Sequence, residues 1–101
     1  MIYVTLQSAE LQIRRVARRV RTGGHEVPAD KIIDRRRRSF EELAWFVRQV
    51  DRCTIFDNSS GEPEKLAVLS DGVLVRLGRL PPDLQAVLDR ENVEQATADL
   101  R

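Results

Sequence analysis

Between Arg14 and Arg38, nine arginines and Lys31 face only Glu26, Asp30 and Asp34, a local balance of +7 in a chain whose net charge is +1. The remaining residues therefore sum to −6, seven basic against thirteen acidic. A basic block inside an acidic chain points at an anion. Arginine's planar fork matches phosphate oxygens, and positive charge facing a transferring phosphoryl group stabilises its transition state. A solvated helix face is the plain alternative. Against it, Arg15 and Arg19 lie four apart on one helical face with no acid supplied by a neighbour. Such a pair costs a few tenths of a kcal/mol unless an anion binds. Nucleic acid is the disfavoured anion, because the overall charge is near neutral, no aromatic platform interleaves the arginines and the acidic remainder would repel a backbone.

Three other residue types invite chemistry. His25 follows Gly23-Gly24 and reads as a hinge residue bonding its own loop rather than as an acid or base. Cys53, the single cysteine, sits in an apolar run with no histidine nearby and reads as a buried strand residue, not a nucleophile or a metal ligand. Asp57 suits either a magnesium-binding acid at a strand end or a loop cap.

The elements that must position these residues follow from patterning. Ile2–Leu6 is β-branched, aromatic and aliphatic without polar alternation, as in a strand buried on both faces of a parallel sheet. Ser8 can cap a helix carrying Leu11, Val16 and Val20, which Gly23-Gly24 ends. Pro28 opens a second helix with Ile32 and Ile33. Ser39 and Glu42 form a capping-box pattern, which predicts a break there and a third helix bearing Phe40, Leu43, Val47 and Val50, with Trp45 and Phe46 extending its buried stripe. Cys53–Phe56 is a second strand, followed by an Asp57-Asn58-Ser59-Ser60-Gly61 loop. Leu66–Leu69 and Val73–Leu77 form a hairpin around Ser70-Asp71-Gly72. Pro81-Pro82-Asp83 starts a last helix through about Leu88, and from Glu91 the chain is polar and expected to fray.

The order β-α-α-α-β-β-hairpin-α makes an α/β domain over 1–90 with a polar tail at 91–101. Its first two strands are expected to be parallel, with the hairpin beside them. Ligands of such sheets sit beyond the strands' carboxyl ends, here Leu6-Gln7-Ser8 and Asp57-Asn58-Ser59. At 101 residues, 42% hydrophobic and 33% charged, the chain fits one soluble globular domain. Met1–Leu6 carries no export-signal pattern and no apolar run could span a bilayer, so a cytoplasmic location and no membrane partner are expected.

Arg15-Val16-Ala17-Arg18-Arg19-Val20-Arg21-Thr22-Gly23-Gly24-His25-Glu26-Val27-Pro28, then Lys31-Ile32 and Arg35–Ser39, resembles the zeta-toxin-like predicted ATPases. There RVxxRVxxGGHxVP runs on to an isoleucine and then RxxRS. Ile55-Phe56-Asp57-Asn58-Ser59 is similar to their final parallel strand and its Asp-Asn-Ser loop, and the likeness covers about residues 1–80. The resemblance implies part of a P-loop nucleotide-kinase-like fold, in a family whose zeta toxins phosphorylate a sugar nucleotide with ATP and Mg2+. It implies a lid from Arg15 to Ser39 hinged at Gly23, Gly24, His25 and Pro28. Arg15, Arg19, Arg35 and Arg38 would face the phosphates, with Asn58 and Ser59 beside the adenine end.

Two departures qualify it. Arg36 stands where many members carry an aromatic residue. The G-x-x-x-x-G-K-[ST] loop is absent, as is the acid that would activate an acceptor, so no backbone cradle or magnesium-binding hydroxyl exists for self-sufficient phosphoryl transfer. The expected function is a kinase portion binding ATP, a sugar nucleotide or another phosphorylated ligand. The alternative is a non-catalytic interaction module or decayed toxin remnant. In either case residues 2–6 would present a free strand edge, for a homodimer or a complementary N-terminal half.

Overall fold

A computed structural model of the chain describes residues 1–98. The β-branched and aliphatic runs form β1 (Ile2–Thr5), β2 (Arg52–Asp57), β3 (Glu64–Ser70) and β4 (Val73–Arg76), and a fifth strand, β5 (Gln95–Thr97), closes the described chain. The helices are α1 (Ala9–Arg21), α2 (Ala29–Phe46) and α3 (Pro82–Arg90). The strands lie in the order β1-β2-β3-β4-β5 in one mixed sheet. β1 runs parallel to β2, with Tyr3 opposite Ile55 and Thr5 opposite Asp57. β2–β3 and β3–β4 are antiparallel, and β4–β5 is parallel. The domain is thus mixed α/β. Among the described residues no helix is long and apolar enough to cross a membrane.

Local chemistry explains most of these boundaries. The Ser8 hydroxyl accepts from the Leu11 N–H at 3.1 Å, the expected N-cap. At the other end of α1, Gly23 has φ +105° and the Gly24 N–H returns to the Arg19 carbonyl at 2.9 Å. The β3–β4 turn has positive φ at both Asp71 (52°) and Gly72 (79°), whose twist matches that of the paired strands.

The core lies between one face of the sheet and two helices. Phe40, Leu43 and Ala44 of α2, Val47 at its C-cap, and Leu84, Val87 and Leu88 of α3 pack on Cys53, Ile55, Leu69 and Leu74. Each such leucine withdrawn from water contributes about 2 kcal/mol. α1 has no fully buried residue; its half-buried Leu11, Ile13, Val16 and Val20 are supplemented by polar ties.

Four expectations are corrected. α2 does not break at Ser39, so three helices stand where four are expected. The Ser39 hydroxyl hydrogen-bonds the Tyr3 hydroxyl on β1 instead of capping a helix. Burial raises the Tyr3 pKa, with the Ser39 bond and the Arg36 charge opposing it. β1 is not buried on both faces: Tyr3 and Thr5 turn toward the helices, while Ile2 and Val4 are 72% and 57% exposed on the other side. Trp45 and Phe46 do not extend the core; they stack edge to face on the surface. Finally, the chain does not fray at Glu91. Asn92 adopts φ 57°, the Val93 N–H caps α3 on the Leu88 carbonyl, Val93 is buried, and β5 follows. Residues 99–101 of the expected tail lie outside the described residues.

The Tyr3–Ser39 bond joins the edge strand to the middle of α2. Ser39→Ala is expected to lower the unfolding free energy by about 1 kcal/mol. Urea denaturation checks this; an unchanged midpoint would mean that the bond contributes nothing to holding β1.

Candidate functional site: an arginine-walled cleft

A cleft of about 490 Å³ runs along the edge of β1 and reaches Leu6 and Asn58, just past the carboxyl ends of β1 and β2. One face of α1 lines it with Gln12, Arg15, Val16 and Arg19, spaced three, one and three apart as successive turns of a helix require. α2 contributes Arg35, Arg36, Ser39 and Phe40, and the β2 loop contributes Asn58. The other wall is β1 itself, through Tyr3, Val4, Thr5 and Leu6. Alternate strand side chains point to opposite faces, so four consecutive residues can share one wall only where the strand's edge forms it.

The arginines divide cleanly by their partners. Arg37 pairs with Asp34 and Glu41 at 2.6 and 2.9 Å, and Arg38 pairs with Asp34 at 2.7 Å. The Arg37 hydrogen bond, joined by the Arg38 charge, holds the Asp34 carboxyl below its usual range even though burial opposes this. Arg14 reaches Glu10 at 4.0 Å. Arg36 is buried, clamped by Asp83 through Nε at 2.6 Å and Nη2 at 3.0 Å, bonded through Nη1 to Gln12, and laid over the Phe40 ring at 4.6 Å. It ties α1, α2 and α3 together, which accounts for a charged residue in the buried stripe of α2. Arg15, Arg18, Arg19, Arg21 and Arg35 form no ion pair among the described residues, and of these Arg15, Arg19 and Arg35 line the cleft.

Arg15 is held in place without being neutralised. Its Nη2 donates to the Asn58 and Ser59 carbonyls at 2.8 and 2.9 Å, locking α1 to the β2 loop. That loop is built by Asp57, whose Oδ1 accepts from the Ser59 N–H at 3.0 Å and from its hydroxyl, and whose Oδ2 accepts from Gln7 Nε2 at 3.2 Å. Of the two roles open to Asp57, loop capping occupies both carboxylate oxygens. Ser59 also accepts from the Gln7 N–H at 2.9 Å, so its hydroxyl is spent inside the loop and it does not line the cleft. Asn58 differs: its Oδ1 is buried with no partner, an acceptor beside the arginines.

The expected site residues thus separate. Arg15, Arg19, Arg35 and Asn58 come together; Arg38 lies outside on an exposed face, and Ser59 supports from behind. Gly23 and Gly24 shape the α1–α2 turn, where a Cβ on Gly24 would meet the Arg19 carbonyl at 3.0 Å. Pro28 immediately precedes α2. His25 is exposed, and no hydrogen bond ties its ring to the loop among the described residues. Cys53 is buried in β2, which pushes its thiol pKa up and away from nucleophilic use. Gln12 and Arg36 were not anticipated as site residues, although Gln12 shares its helical face with Arg15, Val16 and Arg19.

Chemically the cleft offers free cationic forks, an orphaned acceptor and no carboxylate in its lining. These residues fit phosphate oxygens and a hydrogen-bond donor on the same ligand. They do not fit a magnesium ion held by the chain itself, which takes carboxylate oxygens. A comparison with protein families, with curated proteins and with solved structures finds no match.

Proposed function

We propose that the chain binds a phosphorylated small molecule, ATP or a sugar nucleotide, in the arginine cleft, as the lid-bearing C-terminal portion of a zeta-toxin-like P-loop domain. One observation carries this reading. Of the block's nine arginines, Arg15, Arg18, Arg19, Arg21 and Arg35 form no ion pair among the described residues, and three of these, Arg15, Arg19 and Arg35, gather in the cleft, where the acid-paired Arg36 is buried in the wall. The orphaned Asn58 acceptor adds a demand for a donor such as a ribose hydroxyl or a base amino group. Without a phosphate-binding loop, the chain supplies binding and charge compensation and does not complete phosphoryl transfer alone.

Calorimetric titration with ATP and with a UDP-sugar at low and moderate salt tests the reading. Saturable binding that weakens as salt rises is expected, because the guanidiniums are partly solvent-exposed. The absence of heat from either ligand at millimolar concentration would overturn it.

A second reading, a non-catalytic interaction module, is favoured by the edge of β1, unpaired among the described residues, with its exposed Ile2 and Val4. The mass in solution separates a homodimer from a monomer awaiting a complementary half.

A further inference from the structure

The cleft has an open flank along β1. The Thr54 N–H bonds the Met1 carbonyl and the Asn58 N–H bonds the Thr5 carbonyl, each at 2.9 Å. In a parallel ladder the backbone groups of alternate residues face the same neighbour, so those of Ile2 and Val4 face away from β2. No strand lies beyond them among the described residues. Natural edges are blunted by proline, lysine, bulges or shortness. β5 at the opposite edge is such a case, three residues reading Gln-Ala-Thr. β1 is also short, at four residues, but reads Ile-Tyr-Val-Thr with no proline, lysine or bulge.

We infer that β1 accepts an extended peptide segment from a protein partner, one that alternates acidic and apolar side chains. A strand added at about 4.8 Å from β1 continues the pleat. Its side chains level with Tyr3 and Thr5 enter the cleft, where Arg19 and Arg35 stand without carboxylate partners. Those level with Ile2 and Val4 join the exposed apolar face. The first set is therefore acidic and the second apolar, with main-chain bonds to Ile2 and Val4 supplying affinity. A second copy of this chain is the poorer occupant. Pairing two β1 edges about a two-fold axis brings two arginine clefts together, and like charges oppose that approach.

The inference shares its arginines with the phosphorylated-ligand reading, and the test keeps the two apart. The anisotropy of a fluorescein-labelled Val-Glu-Val-Glu-Val peptide is measured against the chain. Its glutamine counterpart and a version N-methylated at alternate amides are measured alongside. The acidic peptide is expected to bind at least about tenfold tighter than either. Val4→Pro removes an outward N–H without touching the β2 ladder and is expected to give a similar loss, with circular dichroism reporting the fold. Equal affinity for the glutamine peptide overturns the inference, as does tolerance of N-methylation, which remains informative if Val4→Pro fails to fold. A chain dimer that protects the Ile2 and Val4 amides and excludes the peptide also overturns it. ATP binding without peptide binding sinks this inference and leaves the nucleotide reading standing; peptide binding without ATP binding does the reverse.

Discussion

Arg36→Ala is expected to lower the unfolding free energy by about 3 kcal/mol, and thermal denaturation should show the midpoint falling by roughly 10–25 °C. The Arg36 side chain is 2% exposed while its partner Asp83 is 49% exposed. Removing the buried member deletes the bidentate bond to α3, the bond to Gln12 on α1 and the contact with Phe40. Asp83 can recover water, which keeps the loss at the lower end of what breaking a buried ion pair costs. Arg36→Lys should rescue little, since an ammonium cannot span two carboxylate oxygens and reach Gln12 as well. A variant within about 0.5 kcal/mol of wild type would show that the three helices do not depend on this tie.

The same pair sets an acid dependence. Burial alone would raise the Asp83 pKa, but its bonds and charge interaction with Arg36 outweigh this and hold the carboxyl below its usual range. The folded state therefore resists protonating Asp83, while the unfolded chain takes up a proton at about pH 4. The contribution is present above that value and is lost as pH falls through the lower folded one. In Arg36→Ala the acid-side fall should be shallower.

Arg36 also marks where sequence reasoning stops. Ile32, Arg36, Phe40 and Leu43 of α2 and Val47 at its C-cap form one buried stripe. A charge in the middle of that stripe hides its continuity, and Ser39 with Glu42 then looks like a new start. A capping box forms only where the chain already leaves the helix, and here the Ser39 hydroxyl is drawn to Tyr3, 36 residues earlier. The strands β1 and β2 and the Asp71-Gly72 turn were legible because local propensity and long-range pairing agree there. β5 was not, since Gln-Ala-Thr has no pattern of its own. Its only local announcement is Asn92, a residue tolerant of the left-handed turn it adopts, followed by an apolar valine.

Which arginines are claimed by acids of their own helix was legible from spacing, although spacing does not say which of the unclaimed ones face the cleft: Arg18 and Arg21 are unclaimed and lie outside it. Acids four residues away claim Arg14 and Arg38, and acids three and four away claim Arg37. Arg15, Arg19 and Arg35 have none at those spacings. Helical geometry alone therefore separates Arg38 from Arg15, Arg19 and Arg35, with which the resemblance to zeta-toxin-like ATPases groups it. The Asp83 partner of Arg36 lies 47 residues on and could not be read from spacing.

This division makes the strongest prediction about binding. Arg19→Ala combined with Arg35→Ala is expected to weaken ATP binding by at least about 100-fold, because each charged hydrogen bond to a phosphate contributes about 1.5–3 kcal/mol. Stability should stay within about 0.5 kcal/mol of wild type, since both guanidiniums are exposed and neither makes an ion pair among the described residues. Removing Arg19 also relieves its repulsion with Arg15 one turn away. Arg15 is the wrong probe: its bonds to the Asn58 and Ser59 carbonyls would confound lost binding with a loosened α1. Arg38→Ala is the matched control, expected to leave the affinity within about twofold because its charge is already spent on Asp34. Calorimetry on the three proteins decides the matter. If the double variant keeps its fold and its affinity for ATP, the cleft is not the phosphate site, and if Arg38→Ala is the variant that fails, the phosphates lie on the outer face of α2.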